Sequence, residues 1–292
     1  MKEFGSFYKS TENRKYNTWC KYTKRLDTYG CGCQHNCHYC YAKSLLSFRD
    51  KFNTNTPSVA KLYKIKHLIM NLPRYEVVRM GGMTDCFQPI ENEQRLTYKT
   101  IELLNYYKIS YLIVTKSDLV ANDEYIELYD KNLAHFQISI SSTDDLICSK
   151  YEGAPVTSKR IKAIEKLYRL GFDVSVRLSP FLYQWCDMDI INNIDCNKIL
   201  IEFLKVNHWT RKQFDYDYSE HTLKYGGHDN LQLDKKIELV NTVTGFNQIS
   251  VGELVKDHHS YFRDNVNYNK DDCCNLDKRE CEIYEQPEII FK

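Results

Sequence analysis

No apolar run in this chain approaches the length of a membrane span. The stretch from Met1 to Asn17, MKEFGSFYKSTENRKYN, lacks the apolar core of a secretory signal. An excess of either charge is missing too: 40 Lys and Arg stand against 39 Asp and Glu, so no global basic field draws in nucleic acid, and any such contact must come from a local patch. Internal repeats and long low-complexity linkers are also absent, which excludes solenoid and tethered-module designs. Glycine is scarce, at 11 of 292 residues, while Tyr, Asn and Lys are abundant; we read this as coding bias rather than function. Together these features lead us to expect a cytoplasmic protein without a membrane segment. A chain of this length buries a core without disulfides. Its twelve cysteines, kept reduced in such a compartment, then point to metal binding rather than to a disulfide framework.

Strand-like and helix-like segments alternate from about residue 26 to 250. Short β-rich runs are predicted at Tyr75–Met80, Ser110–Thr115, His135–Ser141, Phe172–Ser179 and Ile199–Val206. Between them, Ser158–Leu170 reads as a helix capped by Ser158 and stopped by Gly171, with Ile161, Ile164, Leu167 and Tyr168 on one face. Asn92–Tyr107 reads as another, with Leu96, Leu103, Leu104 and Tyr107 as its stripe. This βα order implies a parallel sheet with helices outside it, open or curled into a barrel. In two strands one face is polar: Ser175, Arg177 and Ser179 oppose Val174, Val176 and Leu178, and Gln137, Ser139 and Ser141 oppose Phe136, Ile138 and Ile140. Parallel strands are usually apolar on both faces, so polar inner faces suggest a barrel interior that holds a polar ligand.

The most specific signal is Tyr29-Gly30-Cys31-Gly32-Cys33-Gln34-His35-Asn36-Cys37-His38-Tyr39-Cys40-Tyr41. Cys33, Cys37 and Cys40 are spaced C-x3-C-x2-C. Iron–sulfur cubanes usually take four thiolates, so three would leave one iron open to an external ligand. A zinc site using His35 or His38, or a closed cluster with Cys31 as fourth ligand, are the alternatives left open by the residues.

This loop, including Tyr39 before its last cysteine, resembles that of radical S-adenosylmethionine (SAM) enzymes. Gly81-Gly82-Met83-Thr84-Asp85-Cys86-Phe87-Gln88-Pro89-Ile90-Glu91 resembles the T-D-x-x-Q-P-x-E segment of the branch around spore photoproduct lyase and the DNA-repair photolyase-related proteins. Thr115-Lys116-Ser117, Ser139-Ile140-Ser141, Glu152-Gly153-Ala154-Pro155 and Val176-Arg177-Leu178-Ser179-Pro180 extend the resemblance over about residues 25 to 206. The resemblance implies an α/β fold, a partial (β/α)6 barrel of the radical SAM type. Its core would span 25–206, with an N-terminal extension 1–24 and a C-terminal region 207–292 completing or capping the barrel. It further implies a 4Fe-4S cluster on Cys33, Cys37 and Cys40, and SAM cleaved to a 5′-deoxyadenosyl radical that abstracts hydrogen from an organic substrate, DNA or RNA in the photolesion-lyase manner. A peptide or small molecule is the rival substrate, and a non-catalytic zinc or closed-cluster module the rival class. An electron donor such as a flavodoxin or ferredoxin would be its partner.

For the cofactor, Gly81 and Gly82 would allow close backbone approach, Asp85 would meet the methionine ammonium, and Arg177 its carboxylate. Tyr39, Lys116, Ser139 and Ser141 complete the expected SAM contacts. The usual Gly-Gly-Glu is Gly81-Gly82-Met83 here, which moves the acidic contact to Asp85. Cys86, near that pocket, is the candidate hydrogen-atom donor. Past residue 206 the likeness weakens: His208–Tyr225 mixes aromatic rings with cations, which suits base stacking or an ordinary lid. Glu202 reads as substrate-facing or salt-bridged, and Cys273, Cys274 and Cys281 as a free or zinc-bound set rather than the ligands of a second cluster.

Overall fold

A computed structural model describes residues 7–9, 21–43, 55–73 and 76–277. Most of the expected N-terminal extension, Tyr75 and Cys281 lie outside the described residues. The β-branched runs form the expected strands. The main sheet comprises β1 (Phe7–Lys9), β2 (Lys24–Leu26), β3 (Val77–Met80), β4 (Ser110–Thr115), β5 (Ala134–Ile140), β6 (Asp173–Phe181), β7 (Lys198–Phe203) and β8 (Gln248–Val251), in that spatial order. The edge strand β1 is antiparallel to β2; all pairs from β2 to β8 are parallel. Sequential order means that each crossover returns to the next position on the same side, which is how a barrel wall winds. Because β2 and β8 do not pair with each other, the wall stays open: it is a partial barrel, with seven parallel strands where six were expected.

The crossovers carry α1 (Leu62–Met70), α2 (Leu96–Tyr106), α3 (Asp123–Leu128), α4 (Thr157–Arg169), α5 (Met188–Asn192) and α6 (Leu233–Asn241), with α7 (Lys256–Asn265) after β8. Outward residues of the strands, such as Val78, Ile113, Phe136, Ile138, Val176, Ile199 and Val251, pack with Ile101, Leu104, Ile164, Leu167 and Phe262 from the helices in one continuous core. Each fully buried side chain of this size contributes roughly 1.5–3 kcal/mol. None of the described helices is long and apolar enough to cross a membrane.

Two helix ends differ from expectation. Ser158 does not cap α4: its N–H and hydroxyl both bond the Asp145 carboxylate, and Val156 occupies the N-cap without a side-chain bond. The C-terminal end is as expected. Gly171 takes φ +80°, and the Gly171 and Phe172 N–H groups return to the Tyr168 and Leu167 carbonyls, a Schellman closure. The expected Asn92–Tyr107 helix is broken at Arg95, which is left-handed at φ 54°, ψ 28°, so a short helix Glu91–Gln94 precedes α2.

The inner face of the wall is polar, and the strand starts are sealed. Lys198 donates to Asp173 (2.6 Å), to the Asn275 carbonyl (2.9 Å) and to Asp277 (2.7 Å), while Asp173 also holds His135 at 2.6 Å. Tyr22 donates to Asp272. Segment 272–277 thereby floors the interior and packs Cys274 against Leu112, Val114 and Leu200. With that end sealed, the opposite mouth remains, at the C-terminal strand ends.

Candidate functional site

Past β2 the chain enters the cysteine loop at that mouth. Cys31 (φ 55°) and Asn36 (φ 41°) adopt left-handed backbone, and the Asn36 N–H returns to the Cys33 carbonyl at 3.0 Å, the Cys40 N–H to Cys37 at 3.2 Å. These turns bring Cys33, Cys37 and Cys40 within electrostatic reach of one another. Burial first, then the Glu152 carboxylate, pushes the Cys37 thiol well up, with Lys116 pulling the other way. Burial also raises Cys33, followed by Asp85, and it is the largest influence on Cys40. Such thiols stay protonated unless a cation compensates their charge, and iron would supply it. Among the described residues no three His, Cys, Asp or Glu side chains gather on a single-ion position. Three thiols in one loop are the donor type that a 4Fe-4S cluster takes, one thiolate to each iron.

Two clamps hold the loop. On one side Gln34 is held twice: its N–H donates to Gln88 Oε1 at 2.8 Å, and its Oε1 accepts from the Ile90 N–H at 2.6 Å. Gln88, fully buried, also donates to the Asp85 carbonyl at 3.0 Å. On the other side the His38 N–H bonds the Tyr151 carbonyl at 3.0 Å and the Gly153 N–H bonds His35 at 2.6 Å. A Cβ on Gly153 would stand 3.0 Å from both the Gln34 and His35 carbonyl oxygens, so the loop backbone would have to give by a few tenths of an ångström to admit one.

Asp85 serves the same scaffold. Its carboxylate accepts from the Phe87 N–H (2.8 Å), the Thr115 hydroxyl (2.7 Å) and the Lys116 N–H (2.7 Å), with His35 Nε2 at 3.3 Å. Burial opposes ionisation, but His35, the Lys116 N–H and Thr115 outweigh it and hold this carboxyl below its ordinary range. Four neighbours thus occupy the oxygens expected to meet the cofactor's ammonium. Gly81 has φ +80°, and a Cβ there would lie 2.2 Å from the Val114 carbonyl oxygen, so its glycine is required by β4 itself. The Gly82 and Met83 N–H groups donate to Asp27, at 2.7 and 3.0 Å. Asp27, fully buried, went unnoticed in the sequence because it belongs to no motif.

Lys116, Ser141 and Tyr39 do come together. The Lys116 ammonium donates to Ser141 Oγ at 2.6 Å and to the Ser179 carbonyl at 3.2 Å, lies 3.4 Å from Glu152, and sits 5.3 Å from the Tyr39 ring centre. The Tyr39 hydroxyl bonds Ser141 at 2.7 Å and also Glu152. Glu152 is paired in turn with Arg160, which is fully buried and also donates to the Ser139 carbonyl at 3.1 Å. Burial, then Arg160, lowers Lys116 to about 8. Neither Glu152 nor Arg160 was singled out from sequence, although Glu152 lies in a matched turn.

Arg177 is buried on the inner face and engaged by Gln137 and Glu202, and Ser179 also donates to Glu202 at 2.7 Å. Burial would raise the Glu202 pKa, but Arg177, then Lys205 and Arg79, hold it at about 2. Cys86 is not brought to this group. It is almost fully buried in the main apolar core beside Phe87, and burial pushes its thiol well up.

An aromatic wall flanks the loop. Cys37 and Tyr39 pack with Tyr151, Leu182, Val206, Phe214 and Tyr216. Tyr151 stacks on Trp185 at 5.0 Å, and Phe214 on Tyr216 at 5.6 Å. Arg211, Lys212, Gln213, Phe214, Asp215, Tyr216 and Tyr218 line an open cavity of about 510 Å³.

Comparison with known proteins agrees with this geometry. The family model of the radical SAM superfamily matches residues 28–195, more than half of the chain. An uncharacterized protein of Methanocaldococcus jannaschii is 27% identical over 162 residues, 55% of this chain and 61% of the relative, so the chain spans about three-fifths of the relative's length. A cysteine-to-serine mutant of spore photoproduct lyase superposes with a TM-score of 0.61 at 16% identity, covering 87% of this chain and 80% of the other. A double mutant of the same lyase, with bound AdoMet and dinucleoside spore photoproduct, gives 0.55 at 16% identity over 87% and 88%. At such identity these structures speak for the fold.

Proposed function

Because the chain belongs to the radical SAM superfamily, we propose that Cys33, Cys37 and Cys40 hold its 4Fe-4S cluster and that its substrate is a nucleic acid. Membership supports a radical SAM enzyme over the zinc or closed-cluster module. The observation that carries the site assignment is the meeting of three thiols, Cys37 buried and Cys33 and Cys40 half-buried, with Lys116, Tyr39 and Ser141 at the open mouth of the barrel. When bound, the cluster and SAM supply a 5′-deoxyadenosyl radical, the hydrogen-abstracting species.

The protein's part is to hold, orient and exclude water. Lys116 and Ser141 present an ammonium and a hydroxyl toward the cysteine loop, suited to the carboxylate or ribose of SAM. Glu152 fixes both Tyr39 and Lys116, so the loop and the end of β4 keep one relative position. The Tyr39, Tyr151, Phe214 and Tyr216 rings close one flank against water. The nucleic-acid reading draws on the cations and stacked rings lining the 510 Å³ cavity. The substrate named with the superposing lyase supports it as well.

The test is anaerobic: reconstitute with iron and sulfide, reduce with dithionite, add SAM and assay 5′-deoxyadenosine. Production is expected in the wild type and in Cys31→Ala, and none in Cys37→Ala. Equal loss in Cys31→Ala would overturn the three-thiol assignment. With cleavage established, turnover of irradiated oligonucleotides tests the substrate; turnover of peptides alone would replace it.

A further inference from the structure

The Glu152 carboxylate is met from two sides. Its Oε1 faces the cysteine loop, where it accepts from the Tyr39 hydroxyl and lies 3.4 Å from the Lys116 ammonium. Its Oε2 faces α4, where a terminal nitrogen of Arg160 donates to it. Arg160 is fully buried and anchored: its Nε donates to the Pro155 carbonyl at 2.6 Å, its other terminal nitrogen to the Ser139 carbonyl at 3.1 Å. The shorter hydrogen bonds of Lys116 go instead to neutral groups, the Ser141 hydroxyl at 2.6 Å and the Ser179 carbonyl at 3.2 Å.

Two cations against one carboxylate leave this group with one positive charge. A lysine facing Glu152 alone would be neutralised by it, and the pair would offer little to an anionic ligand. Arg160 changes that balance, because a guanidinium stays charged and its fork suits a carboxylate. Cys37, Cys148 and Asp85 also act on Lys116. Each has a partner of its own: Cys148 donates to Glu152 at 3.6 Å, Asp85 accepts from Phe87, Thr115 and the Lys116 N–H, and Cys37 is assigned to iron. A charge held away from water is costly without a counterpart, so the excess on Lys116 favours a carboxylate beside it.

We propose that Arg160 is a positioning residue: as the internal counter-ion of Glu152, it leaves the Lys116 charge available to the carboxylate of SAM. This rests on the reading above that sets SAM against Lys116 and Ser141. Arg160, fully buried behind Glu152, does not itself touch the cofactor. It acts through Glu152 and Lys116.

Equilibrium binding to the anaerobic, cluster-loaded full chain tests it, with SAM and decarboxylated SAM as the two probes. The readout is the preference for SAM, which a merely structural defect leaves in place because it weakens both probes. Arg160→Gln is expected to reduce that preference about tenfold, and Glu152→Gln to raise it about as much. Arg160→Lys should keep the wild-type preference, and the double variant Arg160→Gln/Glu152→Gln should regain it. Iron content in each variant reports that the cluster is in place. Should Arg160→Gln fail to load iron, Glu152→Gln and the double variant still decide. An unchanged or reduced preference in Glu152→Gln would overturn the proposal, as would equal weakening of both probes by Arg160→Gln. Lys116→Met separates this inference from the reading beneath it. Preference lost there but kept in Arg160→Gln refutes the role of Arg160 alone. Preference kept in Lys116→Met refutes the contact between Lys116 and the carboxylate.

Discussion

Replacing Gln88 by Leu tests whether the cysteine loop is held by hydrogen bonds rather than by its ligands alone. The side chain is fully buried, and Leu preserves most of its apolar contact while deleting one acceptor and one donor. Two groups lose their partners: the Gln34 N–H, at 2.8 Å from Oε1, and the Asp85 carbonyl, at 3.0 Å from Nε2. An unsatisfied buried group costs roughly 1–3 kcal/mol, which puts the pair at roughly 2–6 kcal/mol. Gln34 is only half-buried, so water reaches its N–H and the realistic figure is about 2–3 kcal/mol.

That loss is a sizeable part of an ordinary stability of about 5–15 kcal/mol. It falls on a segment whose other tethers, the Tyr151 and Gly153 contacts, are untouched. Iron retention should therefore suffer more than the global fold. The measurement is the urea midpoint of the iron-free protein together with the rate of iron loss to a chelator from the loaded one. A midpoint about 1 M lower and clearly faster iron release are expected. Wild-type values for both would refute the claim that Gln88 holds the loop.

Glu91 accepts from the Tyr29 and Tyr125 hydroxyls and from the Thr97 and Tyr98 N–H groups at the start of α2. Glu91→Gln turns an amide against those donors and should cost about 2–4 kcal/mol in urea unfolding; a loss under 1 kcal/mol would contradict this account. Gly153→Ala should leave the midpoint nearly unchanged but reduce iron content, since its Cβ presses on the loop backbone; full iron loading would refute it. His221, buried with neither ring nitrogen hydrogen-bonded among the described residues, is lowered to about 4 by burial, then by Arg211 and Lys236. The unfolded ring titrates near 6.5, so between that pH and 4 the unfolded state binds more protons. Stability from this group is therefore complete above 6.5 and lost as pH falls, by roughly 2–3 kcal/mol at most. His221→Phe should flatten that part of the stability profile, and an unchanged slope between pH 6.5 and 4 would exclude His221 as its source.

The parallel wall was legible because strand alternation and helix periodicity are local, and β4, β5, β6 and β7 all stand within a few residues of expectation. What escaped was local structure enforced from a distance. Arg95 breaks the Asn92–Tyr107 periodicity although it is neither Gly nor Pro; its guanidinium stacks 4.3 Å over Tyr98 and bonds Glu124 at 2.6 Å, contacts that close only in the fold. Strand β8 has four residues, too few for a pattern, and exists because β7 offers it an edge.

At the site, the spacing of Cys33, Cys37 and Cys40 was readable, since ligation needs those atoms and few other constraints repeat them. A polar residue in a motif is harder to read, because its sequence does not say whether its donors come from a ligand or from the chain's own backbone. Asp85 shows the difficulty: the reading that sent it to an ammonium group meets four neighbours already around its carboxylate. The same holds for Gln88 and Glu91 in that motif, which bind backbone N–H groups of the loop and of α2. A buried carboxylate or amide persists only when its partners are supplied, and here three motif positions are supplied by main chain. Much of the segment resembling T-D-x-x-Q-P-x-E thus answers to the mechanics of presenting a cysteine loop.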